Sequence, residues 1–129
     1  MERAHLKTVT AMIKVKLFSG REKNLVAYNG QALLNFGFEF MLEVCDNTLD
    51  ITEEPYDFSD FVSGYFHVFN ERTGRRVKNI PTDAPSGAAI IINSNDMLFE
   101  DLGDYYYEMG YLQTGGYEIV LMYGILTVV

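Results

Sequence analysis

Between Leu33 and Val44 the apolar residues Leu34, Phe36, Phe38, Phe40, Leu42 and Val44 occupy every second position, and Asn35, Gly37, Glu39 and Glu43 fall between them. Successive side chains of a strand point to opposite faces, so this row predicts a central strand buried along one side. Helical spacing would mix Glu39 and Glu43 into the apolar stripe, which makes a helix the poorer fit. A six-residue apolar row must be covered, and the rest of the chain supplies more strands to cover it.

Val9 to Phe18 alternates as well, with Val9, Ala11, Ile13, Val15 and Leu17 on one face. Leu25 to Tyr28 predicts a short strand before the Asn29-Gly30 turn. Gly64 to Glu71 and Arg75 to Ile80 read as a hairpin around Thr73-Gly74, and Ala88 to Asn93 as a further strand after the turn-forming stretch Pro81 to Gly87. Met97 and Phe99 lead to a strand with Tyr105, Tyr107, Met109 and Tyr111 on one face. After a tight turn at Gln113 to Gly116, Tyr117 to Val129 returns, with Gly124 expected as a bulge or kink.

The segment Asp101-Leu102-Gly103-Asp104-Tyr105-Tyr106-Tyr107 has the Asp-x-Gly-x-Tyr-x-Tyr spacing that leads into strand F of immunoglobulin-like sandwiches, where a tyrosine hydroxyl bonds back to the backbone upstream. Asp101, Gly103, Tyr105 and Tyr107 are therefore the expected structural corner, with Tyr105 as its tyrosine. Tyr107 stands where an antibody domain carries a disulfide cysteine, so a ring must fill that space between sheets. The fold expected is an all-β, immunoglobulin-like antiparallel β-sandwich of seven to nine strands. Residues 1–129 are read as one domain, with 1–8 an N-terminal arm and 46–63 a long acidic connection in which Asp57 to Asp60 forms at most one helical turn.

Composition narrows function mainly by exclusion. A length of 129 residues suffices for a core without metals or disulfides. A net charge of −8 opposes general nucleic-acid binding, which depends on cationic neutralisation of phosphates. The single cysteine, Cys45, permits no internal disulfide; it is read as a small buried or half-buried residue at a strand end. Arg3, Lys7, Lys14 and Lys16 interrupt the first eighteen residues, so no signal peptide is expected. The apolar tract Ile119 to Val129 is too short for a membrane helix.

Six carboxylates, Asp46, Asp50, Glu53, Glu54, Asp57 and Asp60, lie within fifteen residues without a cation. Calcium would need several of these oxygens, but the EF-hand spacing is missing and Pro55, Tyr56 and Phe58 interrupt a ligand loop. A solvated loop or a surface for a basic partner remains. Arg72, Arg75, Arg76 and Lys78 form the dense cationic cluster, at a hairpin tip, opposite in sign to Asp50, Glu53, Glu54 and Asp57. Complementary patches of this kind suit contact between copies.

Catalytic pairings are poor. Glu39 and Glu43 would stand about 13 Å apart, beyond the reach of a hydrolytic pair, and Glu108 with Glu118 reads as a solvent-facing cross-strand pair. His5 and His67 lack nucleophilic or zinc partners, and Gly115-Gly116 is a hairpin rather than a phosphate loop. No catalytic residue, metal, cofactor, membrane or small-molecule ligand is expected.

The residues from Asp101 through Glu108, then Thr114-Gly115-Gly116 and Gly124-Ile125-Leu126-Thr127-Val128, resemble the ending of small β-sandwich modules of tailed-phage virion proteins. They are similar in particular to the N-terminal domain of baseplate upper proteins. The resemblance implies a non-catalytic, oligomerising virion part of the tail, baseplate or fibre-attachment region, assembled in the host cytoplasm and contacting other virion proteins and copies of itself. The acidic connection is long for such a module, and the fibre or coiled-coil extension that the resemblance leads one to expect is not among residues 1–129. Head decoration and head-tail connector roles therefore stay open. A carbohydrate-binding module, with Tyr65, Tyr106 or Tyr117 stacking on sugars, is the alternative from a different class.

Overall fold

The alternating apolar row becomes the middle of one sheet. In the computed structural model, which describes residues 9–29, 34–93 and 98–129, nine strands follow one another. They are β1 (Val9–Lys16), β2 (Leu25–Ala27), β3 (Leu34–Cys45), β4 (Ile51–Pro55), β5 (Phe61–Asn70), β6 (Arg76–Thr82), β7 (Ala89–Asn93), β8 (Gly103–Gln113) and β9 (Glu118–Val128). No helix occurs among the described residues.

β3 carries β1 on one edge and both β4 and β7 on the other. Phe40 shows how two strands share one edge: its N–H donates to the Ala88 carbonyl, and its carbonyl accepts from the Tyr56 N–H. β4 and β7 thus follow end to end along β3. The second sheet runs β2-β9-β8-β5-β6.

Residues from both sheets close on one core. Phe38 and Phe40 of β3 are fully buried, as are Phe66, Met109, Tyr111 and Leu126 of the facing sheet. Burying each such side chain stabilises the fold by about 1.5–3 kcal/mol, so the facing rows dominate the energetics. The all-β sandwich read from the sequence is what forms.

Several details differ from expectation. β1 pairs with β3, and β2 with β9, in parallel, so both sheets are mixed rather than wholly antiparallel. Such pairings join segments far apart in sequence, which no local pattern encodes. The acidic connection contains β4, and a hydrogen-bonded turn from Phe58 to Phe61 stands in place of the helical turn expected over Asp57 to Asp60. Pro81 belongs to β6, a sheet-edge strand where the missing N–H does no harm.

The bulge expected at Gly124 lies elsewhere. Met109 pairs with Met122 and Gly110 with Val120, which leaves Leu121 as the extra residue. Gly124 instead stays in register with Tyr107, and a Cβ there would run into the Lys23 carbonyl. The N-terminal arm, His5, Gly30, Leu33 and Met97 lie outside the described residues.

Candidate interaction surfaces

At the entry to β8 the Tyr105 hydroxyl donates to the Asp101 carbonyl over 2.6 Å. Burial, with Asp101 nearby, pushes the phenol above its ordinary value of 10.0 and keeps it a donor. Its ring leans on Phe99 at 4.8 Å, and Gly103 between them has φ of 126°. Tyr107 is 2% exposed and stacks on Phe66, with ring centroids 5.1 Å apart. Its hydroxyl donates to the Lys23 carbonyl at 2.6 Å, tying β8 to the segment before β2.

The cationic turn closes the β5–β6 hairpin at this same end of the molecule. The Asn70 side chain accepts from the Arg72 and Thr73 N–H groups, and Gly74 donates to the Asn70 carbonyl, which leaves Arg72 and Arg75 projecting. Arg76 is exposed beside His67, with Nη1 3.3 Å from Nε2. Lys78 turns the other way and places its ammonium 5.4 Å from the centre of the Phe99 ring. Three of the four cations thus face solvent, while the fourth is partly engaged within the fold.

The acidic residues occupy the other end, where β8 finishes. Glu53 is held across the sheet by Lys14 at 2.6 Å and Lys16 at 3.2 Å. Hydrogen bonding from both lysines lowers its carboxyl from the ordinary 4.5. Asp57 accepts from the Ser59 N–H and Asp50 from the Thr48 hydroxyl, but both remain exposed, as does Glu54. Asp60 serves the interior: the Tyr111 hydroxyl donates to it at 2.9 Å and also lies 2.8 Å from the Tyr56 hydroxyl. Asp50, Glu54 and Asp57 are thus available for contact, and Glu53 is already paired.

The hairpin of β3 and β4 runs past the facing sheet. Leu42 and Val44 are only half buried, and Cys45, expected buried or half-buried, is exposed. Ile51 is 68% and Leu49 82% exposed. Leu49 also has φ of 66°, a left-handed conformation rare for a bulky residue.

Sequence reasoning did not assemble one group on the outer face of the five-stranded sheet. Tyr65 lies over Gly110, where a Cβ would strike its hydroxyl, and its ring lies tilted against that of His67, with centroids 4.3 Å apart. Its hydroxyl reaches Glu108 at 3.4 Å, and burial with the charges of Glu108 and Glu118 raises its pKa well above the usual phenol range. Burial and Arg76 lower that of His67 from 6.5. Glu108 pairs with Tyr123 and Glu118 with Leu112, so the two glutamates are not direct cross-strand partners as expected.

Tyr65 is buried and offers no open ring to a sugar. Tyr106 and Tyr117 are exposed but sit toward opposite ends of β8, the second in the turn beyond it, so they share no platform. Glu43, whose spacing from Glu39 rules out a hydrolytic pair, accepts from the Phe18 and Ser19 N–H groups and the Ser19 hydroxyl, fixing the turn after β1. Among the described residues no grouping of three or more metal-ligating side chains forms.

No family model and no curated protein matches the chain. Among solved structures, the N-terminal domain of ORF48 of phage TP901-1 is similar, with a TM-score of 0.58 over 92% of this chain and 97% of that domain, at 10% sequence identity. The chain is folded like a phage domain. With so little identity the likeness is one of backbone, and it agrees with the resemblance to small phage β-sandwich modules. The agreement spans almost both chains end to end.

Proposed function

We propose that the chain is a non-catalytic structural module of a phage virion, placed in the tail, baseplate or fibre-attachment region. Near-complete two-way coverage of a phage domain carries this reading. The arrangement of the molecule supports it. Its tyrosine hydroxyls at Tyr105, Tyr107 and Tyr111 are spent on internal hydrogen bonds. Other virion proteins and further copies of the chain are the partners proposed, with assembly in the host cytoplasm. Arg72, Arg75 and Arg76 at one end, and Asp50, Glu54 and Asp57 at the other, are the contact residues.

Fractionation of purified particles tests the reading. Recovery of the chain with tails or baseplates is the expected result. Recovery with heads favours the decoration or connector role, and absence from particles overturns the virion assignment.

A further inference from the structure

Two of the strands that end their sheets, β4 and β6, carry opposite charge. β4 is solvent-exposed along nearly its whole length, carries Glu54 and is flanked by Asp50 and Asp57. β6 closes the other sheet, begins at Arg76 and follows Arg72 and Arg75, which outnumber the neighbouring Glu71. Each edge also exposes an aliphatic side chain, Ile51 at 68% on β4 and Val77 at 45% on β6.

An unpaired edge presents a row of N–H and C=O groups that can template another strand, and charge along an edge normally prevents such pairing. Here the charge discriminates rather than forbids. Two β4 edges repel, two β6 edges repel, and a β4 edge attracts a β6 edge. We infer that β4 of one copy adds to the β6 edge of the next, joining the two sheets by main-chain hydrogen bonds and bringing the carboxylates of Asp50 and Glu54 among the cations of Arg72, Arg75 and Arg76. This contact rests on the reading of the chain as an oligomerising virion module.

The tip residue supports the same contact. Leu49 is held at φ of 66° while 82% exposed, so the strained conformation gains no burial within its own chain. A strained, projecting apolar residue fits a position whose burial comes from a neighbour. The contact is heterologous, using different surfaces on its two sides, so repetition closes into a ring or grows into a filament rather than stopping at a two-fold dimer.

Sedimentation of the full chain tests this with three proteins: the unchanged chain, a basic-β4 variant (Asp50→Lys with Glu54→Lys) and an acidic-β6 variant (Arg75→Glu with Arg76→Glu). All four positions are exposed, and matching thermal melts establish that both variants fold. The unchanged chain is expected to associate at low salt and to weaken as salt screens the charges. Each variant alone, now carrying two edges of one sign, is expected at the monomer sedimentation coefficient. Their equimolar mixture restores both edge pairs and is expected to associate again. A monomeric unchanged chain, a variant that associates as the unchanged chain does, or a mixture that stays monomeric overturns the contact. Because particle fractionation is independent of edge charge, a failed edge contact is distinguishable from a failed virion assignment.

Discussion

The Tyr107 hydroxyl and the Lys23 carbonyl, 84 residues apart in sequence, lie 2.6 Å from each other. Tyr107 is buried against Phe66, so its ring fills the interior while its oxygen reaches through to an adjoining segment. The two contributions can be separated. Tyr107→Phe keeps the ring and is expected to cost about 1–2 kcal/mol, because the carbonyl loses its donor. Tyr107→Ala is expected to cost about 3–5 kcal/mol, since a large cavity is added. Urea denaturation of both variants measures the split, and equal losses would refute it.

The same carbonyl explains Gly124. A Cβ at that position would overlap the Lys23 carbonyl, and the Lys23 N–H donates to the Tyr123 carbonyl at 2.9 Å. Gly124→Ala is therefore expected to push this segment away and to destabilise by about 1–3 kcal/mol. Hydrogen exchange at the Lys23 amide should accelerate more than at β5 amides. Combined with Tyr107→Phe the losses should be less than additive, because either change alone disturbs the one contact.

These relationships mark where the sequence stops being readable. Period-two patterns located β1, β3 and β8, because one buried face leaves an alternating trace, and the Thr73-Gly74 turn signal located β5. β4 leaves none: Ile51-Thr52-Glu53-Glu54-Pro55 includes glutamate and proline, which strands disfavour, and its extended form follows from pairing with Met41–Cys45. Gly124 shows the complementary failure, since a glycine in a strand marks either a bulge or a close backbone approach, and its distant neighbour decides which. Among candidate contact residues, spacing recovered the Arg72–Arg76 turn, but it could not tell that Lys14 and Lys16 already hold Glu53.

Tyr111 offers a test of how the acidic segment is fastened to the sandwich. Its hydroxyl lies between Tyr56 and Asp60, while its ring stacks on Phe61 at 5.6 Å and meets Phe58 edge-on at 5.4 Å. A double-mutant cycle of Tyr111→Phe with Asp60→Asn is expected to yield a coupling energy of about 0.5–3 kcal/mol, the range for members of one network. A coupling indistinguishable from zero would show that the rings alone pin the segment.

Glu43 predicts a pH dependence whose sign follows from its partners. Hydrogen bonds from Ser19, first of all its N–H, hold the carboxyl below the ordinary 4.5. A group with a lowered folded-state pKa contributes stability above its unfolded value and loses it as pH falls through the folded value. Glu43→Gln should thus melt below the unchanged chain at pH 7, and the gap should narrow on acidification below about pH 4.5. A gap that widens with acid would contradict the assignment.

Leu49 separates folding from association. Its left-handed backbone at φ of 66° strains a leucine, and its side chain is 82% exposed. Left-handed geometry costs an L-residue about 1–2 kcal/mol, partly offset on replacement because glycine loses more chain entropy on folding. Leu49→Gly is therefore expected to leave the monomer equally stable or up to about 1 kcal/mol more stable. If the tip is buried by a neighbouring copy, the same substitution should weaken self-association. Thermal melts at low protein concentration and sedimentation at high concentration read the two effects separately, and a variant that loses stability without losing association would place the value of Leu49 inside its own chain.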